Sequence, residues 1–316
     1  MPAITATAPG KIILFGEHAV VYGRPAIAAP VDQVRARAIV TAEPRRMRGE
    51  VRIQAPDMDL EAYLDELEET NPLGLAVRLV LNELGVEQPP ACTLRITSSI
   101  PVASGLGSGA AVSVALIRAF SEYMGRPLPV ETVSALAYEV EKLHHGTPSG
   151  IDNTVISYGL PVYFVRNQPI QLLRVPVSFT IVIGDTGVQS PTAVAVADLR
   201  RAWQADARRY EPLFDDAAAI AMQARELIET GRPQALGPLM DENQDLLGAM
   251  GVSSPELEHL VAAARAAGVL GAKLSGAGRG GNMIALVDPE NASQVVQALR
   301  SAGAARTVTA VIRASG

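Results

Sequence analysis

Between Pro101 and Ala111 the chain reads Pro-Val-Ala-Ser-Gly-Leu-Gly-Ser-Gly-Ala-Ala, and no other stretch limits the possible folds as much. It follows a strand-like run, Cys92 to Thr97, and opens an apolar segment, Ala110 to Met124. Glycines at a strand-to-helix junction let the backbone turn sharply and let a ligand approach the main chain. The first N–H groups of the next helix lack partners and carry partial positive charge, which suits a phosphate. The stretch therefore predicts a phosphate cradle, most simply for a nucleotide. A tight turn that only ends the strand is the competing reading. The loop is not a Walker A sequence, because no Gly-Lys-Ser/Thr closes it. Nor is it a dinucleotide fingerprint, because Ala110 stands where the third glycine belongs.

A chain of 316 residues allows one large domain or two ordinary ones. With 48% hydrophobic but 4% aromatic residues, the core must be filled by Ala, Val, Leu and Ile. A net charge of −6 argues against a nucleic-acid groove, yet leaves room for a small cationic pocket. The lone Cys92 excludes an internal disulfide and a cysteine-based zinc cluster, which fits a reducing, cytoplasmic setting. Neither a signal peptide nor a membrane span is expected. Of 27 basic residues only Lys11, Lys142 and Lys273 are lysines. A GC-rich genome would give that bias. Even so, where a chain that favours arginine keeps a lysine, a compact ammonium is worth looking for.

Along the chain, Ile4 to Ala8 reads as a short strand entering Pro9-Gly10-Lys11, and Pro25 to Ala42 as strands. The acidic Leu60–Thr70 reads as a surface helix, and Pro72–Leu84 as a helix ended by Gly85. Glu131–His145 has helical spacing, and strands are expected in Val162–Val175 and Phe179–Ile183. Further helices are expected over Ala193–Tyr210, Leu213–Thr230, Pro233–Gly248, Pro255–Gly268 and Asn291–Gly303. A second Gly-rich loop, Lys273–Gly281, precedes a strand at Asn282–Val287, and a last strand lies at Ala305–Ile312. A change of texture near Val177 suggests two α+β domains, 1–177 and 178–316.

Three segments gain meaning together: Pro9-Gly-Lys-Ile-Ile-Leu-Phe-Gly-Glu-His-Ala-Val-Val-Tyr-Gly23, the Pro101–Ala111 loop, and Lys273-Leu-Ser-Gly-Ala-Gly-Arg-Gly-Gly281. In order and spacing they resemble the three motifs of the galactokinase, homoserine kinase, mevalonate kinase and phosphomevalonate kinase (GHMP) superfamily. Gly16-Glu17-His18-Ala19-Val20-Val21-Tyr22-Gly23, His145-Gly146-Thr147-Pro148-Ser149-Gly150-Ile151-Asp152-Asn153 and Asn243-Gln244 resemble its mevalonate kinases. The resemblance implies a two-domain fold with ATP and substrate in a cleft between the domains. It also implies Mg²⁺-dependent transfer from ATP to (R)-mevalonate, a step of isoprenoid biosynthesis.

Residue by residue, the resemblance makes Asp152 the catalytic aspartate and Lys11 the lysine beside it. Pro101, Ser104, Gly105, Leu106, Gly107, Ser108, Gly109 and Ala110 form the ATP phosphate loop. Glu141, with Ser108, is implied as the magnesium site. Glu17, His18, Thr192, Gly276, Ala277 and Gly278 surround the alcohol and the transferred phosphate. These roles suit phosphoryl transfer, which needs positioning and charge neutralisation more than covalent chemistry. A carboxylate suits Mg²⁺, and a lysine beside an aspartate favours the carboxylate and a developing alkoxide. Periodicity does not choose between Glu139 and Glu141, each about 100° from the apolar face of its helix; only the family spacing selects Glu141. Asp152-Asn153 could equally cap a helix. His144-His145 suit a helix C-terminus better than a metal, and Lys273 reads as a strand-end charge.

Two departures stand out. Gly109 occupies the place of a serine that reaches the metal in the family, and Arg279 replaces a common glycine. A sister kinase acting on another alcohol or on a phosphorylated mevalonate, and a non-catalytic sensor of the same ligands, remain open alternatives. Oligomeric state is also open, a homodimer included.

Overall fold

The computed structural model describes residues 3–101, 105–145, 148–189 and 192–315. The chain runs β1 (Ile4–Phe15), β2 (Ala26–Ala42), β3 (Val51–Ala55), β4 (Leu60–Tyr63), α1 (Pro72–Leu84), β5 (Cys92–Ser98) and α2 (Ser108–Tyr123). It continues with α3 (Val130–His145), α4 (Ile151–Tyr158), β6 (Val162–Phe164), β7 (Gln171–Leu172), β8 (Phe179–Asp185), α5 (Thr192–Ala205) and α6 (Ala207–Glu229). The last elements are α7 (Leu236–Ala249), α8 (Pro255–Ala266), β9 (Gly271–Ser275), β10 (Asn282–Val287), α9 (Ala292–Ser301) and β11 (Arg306–Ile312). Among the described residues, no helix is long and apolar enough to cross a membrane.

Two compact units form, and neither is continuous in sequence. One gathers Met1–Gly10, Val34–Pro101 and Gly107–Gly159; the other gathers Lys11–Gln33, Val102–Leu106 and Leu160–Gly316. Lys11–Gln33 groups with Leu160–Gly316.

In the first unit, β2 alternates buried Val34, Ala36, Ala38 and Val40 with exposed Arg35 and Arg37, the pattern of a half-covered strand. It pairs antiparallel with β5, Ala36 opposite Ser98, while β3 runs parallel to β5 with Val51 opposite Cys92. Cys92 is thereby buried, and burial pushes its thiol up to about 12. Helices cover the sheet. α2 is apolar on nearly every side, from Ala110 through Val114 and Ile117 to Phe120, because it packs against α1, α3, α4 and β5. α1 starts where the Asn71 side chain accepts from the Leu73 and Gly74 amides at 3.0 Å, with Pro72 at its first position.

The second unit holds an antiparallel sheet in the order β11-β8-β10-β9. Its core joins Val182, Leu274 and Met283 of the sheet to Phe214, Leu247, Leu260 and Leu299 of the helices. Tyr22 stacks on Phe214 at 4.2 Å between ring centroids and meets Trp203 at 5.2 Å.

Three local expectations are corrected. Leu60–Thr70 is not a helix: Leu60–Tyr63 pairs with β3, and the acidic remainder turns. Arg78 of α1 donates to the carbonyls of Leu64, Leu67 and Glu68, capturing acceptors that a helix would need. The first strand does not stop at Ala8 but runs through Pro9-Gly10 to Phe15. The helix break expected near Pro212 lies instead at Asp206, whose side chain accepts from the Arg209 amide. α6 passes through Pro212, and buried Tyr210 and Phe214 on either side of it hold that turn to the core.

Candidate active site

The glycine-rich loop enters α2 through Gly107, a left-handed N-cap at φ 73° with no side-chain cap. The first amides of α2 thus stay open to a ligand. Gly105 and Gly109 are exposed, Gly107 and Ser108 half-buried, and Leu106 and Ala110 buried, so the loop shows backbone outward and anchors by its apolar residues. A side chain added at Gly105 would meet nothing nearer than the Asn282 amide at 3.6 Å. The Lys11 amide donates to the Leu106 carbonyl at 2.9 Å, which seats the buried Lys11 of β1 against the same loop. Pro101 ends the described approach to the loop; Ser104 lies outside the described residues.

Glu141 and Glu139, equivalent by periodicity, differ in surroundings. Glu139 is exposed and pairs with Lys142 one turn on, at 2.7 Å. Glu141 is 4% exposed, and its Oε1 lies 3.3 Å from the position of a Cβ on Gly109. The carboxylate thus faces the first turn of α2, where Ser108 also sits. A buried carboxylate beside the first turn of this helix is the kind of oxygen donor that suits a Mg²⁺ also taking phosphate oxygens. Among the described residues no group of three or more His, Cys, Asp or Glu could hold a metal without such help.

Asp152 lies half-buried in the first turn of α4, behind the left-handed Gly150. The cap position is Gly150, so Asp152 does not cap the helix but lies in its first turn. Asn153 is structural: its buried amide donates to the Ser134 carbonyl and hydroxyl at 3.1 and 3.0 Å. Asp152 and Lys11 belong to different compact units. Thr192 begins α5, but its side chain, like those of His144 and His145, lies outside the described residues.

In the second unit the first and third motifs meet. Glu17 and Lys273 are both wholly buried and form an ion pair, and the Lys273 ammonium also donates to the Leu274 carbonyl at 2.7 Å. Burial raises the pKa of Glu17 and lowers that of Lys273, and each charge opposes the shift of the other. Among the described residues, Glu17 Oε2 is buried without a hydrogen-bond partner. His18 takes an unusual backbone, φ 59° and ψ −49°, and its Nε2 lies 2.9 Å from the Ala277 carbonyl. Burial lowers its pKa to about 4, with the nearby Arg279 charge acting in the same direction. A neutral imidazole facing a carbonyl carries its proton on Nε2, which leaves Nδ1 as an acceptor. The Ser275 hydroxyl donates to the Ile13 carbonyl at 2.7 Å.

Gly276 has open space around it, whereas a Cβ on Gly278 would lie 1.9 Å from the Val252 carbonyl oxygen. Arg279, left-handed at φ 57°, pairs with Asp198 of α5 rather than reaching only solvent. Gln244 accepts from the Leu274 amide and donates to Glu258, both at 2.7 Å, so the Asn-Gln segment braces β9. Lys273 is thus not a strand-end charge but the buried partner of Glu17, and the scarcity of lysine is the sequence signal for it.

Comparison with known proteins decides the family. The GHMP kinases N terminal domain matches residues 71–159 and the GHMP kinases C terminal domain matches 224–305. The mevalonate kinase of Thermococcus sibiricus is 39% identical over 98% of this chain and 96% of its own length.

The chain belongs to the mevalonate kinase family of GHMP kinases.

The Pyrococcus furiosus mevalonate kinase is 36% identical to this kinase, over 98% of this chain and 96% of its own length. Among solved structures, L. major mevalonate kinase in complex with R-mevalonate superposes with a TM-score of 0.83 at 32% identity, covering 99% of this chain and 96% of that one. Galactokinase of Lactococcus lactis, at 21% identity and a TM-score of 0.78, shares the fold.

Proposed function

We infer that this kinase transfers the γ-phosphoryl group of ATP to the 5-hydroxyl of (R)-mevalonate, giving ADP and 5-phosphomevalonate. The observation that carries this reading is similarity to mevalonate kinases along nearly the whole of both chains. In it, residues 104–110 hold the ATP phosphates through backbone amides and the first turn of α2. Glu141, with Ser108, would hold Mg²⁺, which when bound neutralises phosphate charge. Asp152 orients the 5-hydroxyl and accepts its proton, while the Lys11 ammonium stabilises the oxygen as negative charge develops on it. Glu17 and His18 shape the alcohol site. Thr192 is assigned to the transferred phosphate, and the Gly276–Gly278 backbone to the alcohol site. We place the nucleotide functions within residues 1–177, and the kinase in the cytoplasm.

A substrate panel with coupled ADP detection tests the reading. Turnover should appear with (R)-mevalonate and Mg²⁺, and not with galactose, homoserine or 5-phosphomevalonate. Comparable turnover of any of those three would overturn the substrate assignment.

A further inference from the structure

Residues Lys273, Ser275 and Ala277 alternate along β9 and the loop that follows it. Each reaches the first motif: Lys273 to the Glu17 carboxylate, Ser275 to the Ile13 carbonyl, and Ala277 to the His18 imidazole. Of the three contacts only the first is between charges, and it is fully buried. Glu17 adjoins His18 in sequence, and His18 holds a backbone conformation that a non-glycine residue adopts only when its surroundings impose it. The Glu17 carboxylate, wholly buried and gripped by Lys273, is a fixed point immediately before that strained residue.

We propose that Lys273 is a positioning residue: through Glu17 it holds His18 so that Nδ1 is presented as a hydrogen-bond acceptor to the alcohol substrate. The ammonium is suited to this by size. It serves the Glu17 carboxylate and the Leu274 carbonyl from one point, whereas a planar guanidinium would spread its donors and displace the carboxylate. This explains why a chain with 27 basic residues keeps one of its three lysines here. Lys273 touches neither nucleotide nor alcohol in this scheme, so its loss acts on alcohol binding and spares ATP.

The inference rests on the proposed substrate, so its test includes a readout that needs none. Lys273→Met and Lys273→Arg are compared with wild type and with Lys142→Met, a change at an exposed lysine. Nitrogen-15 NMR of the imidazoles in the unliganded protein reports the His18 tautomer; the chain has four histidines, so His18→Asn assigns the signal. Wild type and Lys142→Met should show one neutral Nε2–H form for His18. Lys273→Met should replace it with an averaged or shifted signal. The same variant should raise the mevalonate KM about tenfold or more, while the ATP KM stays within about twofold.

If Lys273→Met fails to fold, Lys273→Arg, which keeps the charge, should fold and show the same split in weaker form. An unchanged His18 signal in a folded Lys273 variant overturns the proposal. So does a wild-type mevalonate KM, or an equal rise in both KM values. If wild type fails to turn over mevalonate yet the His18 signal still depends on Lys273, the substrate reading fails and the positioning role stands.

Discussion

Two glycine-rich loops occupy corresponding motifs of this kinase, and their glycines serve opposite ends. At Gly105 and Gly109 the loop leading into α2 is exposed, and the nearest atoms to a would-be Cβ are side-chain ends, the Asn282 amide at 3.6 Å and Glu141 Oε1 at 3.3 Å, not backbone. At Gly278 and Gly280 the loop after β9 is pressed onto other backbone, the carbonyls of Val252 and Val188, at 1.9 and 2.7 Å from where a Cβ would stand. The first loop omits side chains and leaves its backbone exposed, as the proposed phosphate cradle requires. The second omits them so that the protein can pack against itself. Glycine content alone does not distinguish a cradle from a joint; what faces the missing Cβ does.

The sharpest test of the open region is Asp152→Asn. Turnover should fall by about 10²–10⁴ if the carboxylate assists proton removal. Dissociation constants for ATP and mevalonate should change less than about threefold. Stability should fall by no more than about 1 kcal/mol, the loss of a first-turn carboxylate, because Asn keeps the size of Asp and Gly150 occupies the cap position. Near-normal kcat in rapid-mixing assays would move the catalytic burden to Lys11 and the metal.

Gly278→Ala tests the closed region. Its φ of 71° and the Val252 contact leave no room for a methyl group, so denaturant titration should show a loss of about 3 kcal/mol or more. A loss below about 1 kcal/mol would mean that the joint yields, and that the contrast with the open loop is weaker than it looks.

The dryness of the closed region has a pH signature through His18. Its folded pKa of about 4 lies below the ordinary 6.5, so between those values the unfolded chain takes up a proton that the native state refuses. The associated stability is complete above about pH 6.5 and is lost as pH falls towards 4, on the order of 3 kcal/mol in all. The raised pKa of Glu17 works in the opposite sense, so the quantity to measure is wild type minus His18→Asn. A difference that stays flat across that window would show that the imidazole is wetter than its burial implies.

Returning to the open region, Glu141→Gln should raise the Mg²⁺ requirement and lower turnover about tenfold or more. Glu139→Gln removes only an exposed ion pair and should do little. The smallest effect belongs to Gly109→Ser. Gly109 lies within α2 without a positive φ, and a serine hydroxyl there would approach Glu141. Stability should change by less than about 1 kcal/mol, and the apparent magnesium constant should fall. Abolished ATP binding would show that the loop cannot accept a second serine.

How far the sequence reveals this arrangement follows the same division. The open loop and the helix that holds Glu141 are legible because their pattern is local, glycines and a helical spacing, whereas α4, which carries Asp152, is not expected from the sequence. Periodicity also places α1 at Pro72–Leu84 without error. The acidic Leu60–Thr70 misleads because Arg78, outside that stretch, decides its fate. Lys273 is misread for a similar reason: its partner Glu17 stands 256 residues away, and strand periodicity gives no hint of a charge at a buried position. Glu141 and Glu139 separate only once α2 lies against α3. Long-range pairs, not local pattern, hold what remained hidden.

Cys92 has a use unconnected with catalysis. The chain has one cysteine and one tryptophan. Cys92 sits at the head of β5 in the first compact unit, and Trp203 sits on α5 in the second. A buried thiol with its pKa pushed up to about 12 reacts with a disulfide reagent only when the surrounding structure opens. The native chain thus carries a chemical clock in one unit and a fluorophore in the other, with no label to introduce. Thiol trapping and tryptophan emission, followed through the same urea series, read the two halves separately, and any gap between their midpoints measures how independently they come apart.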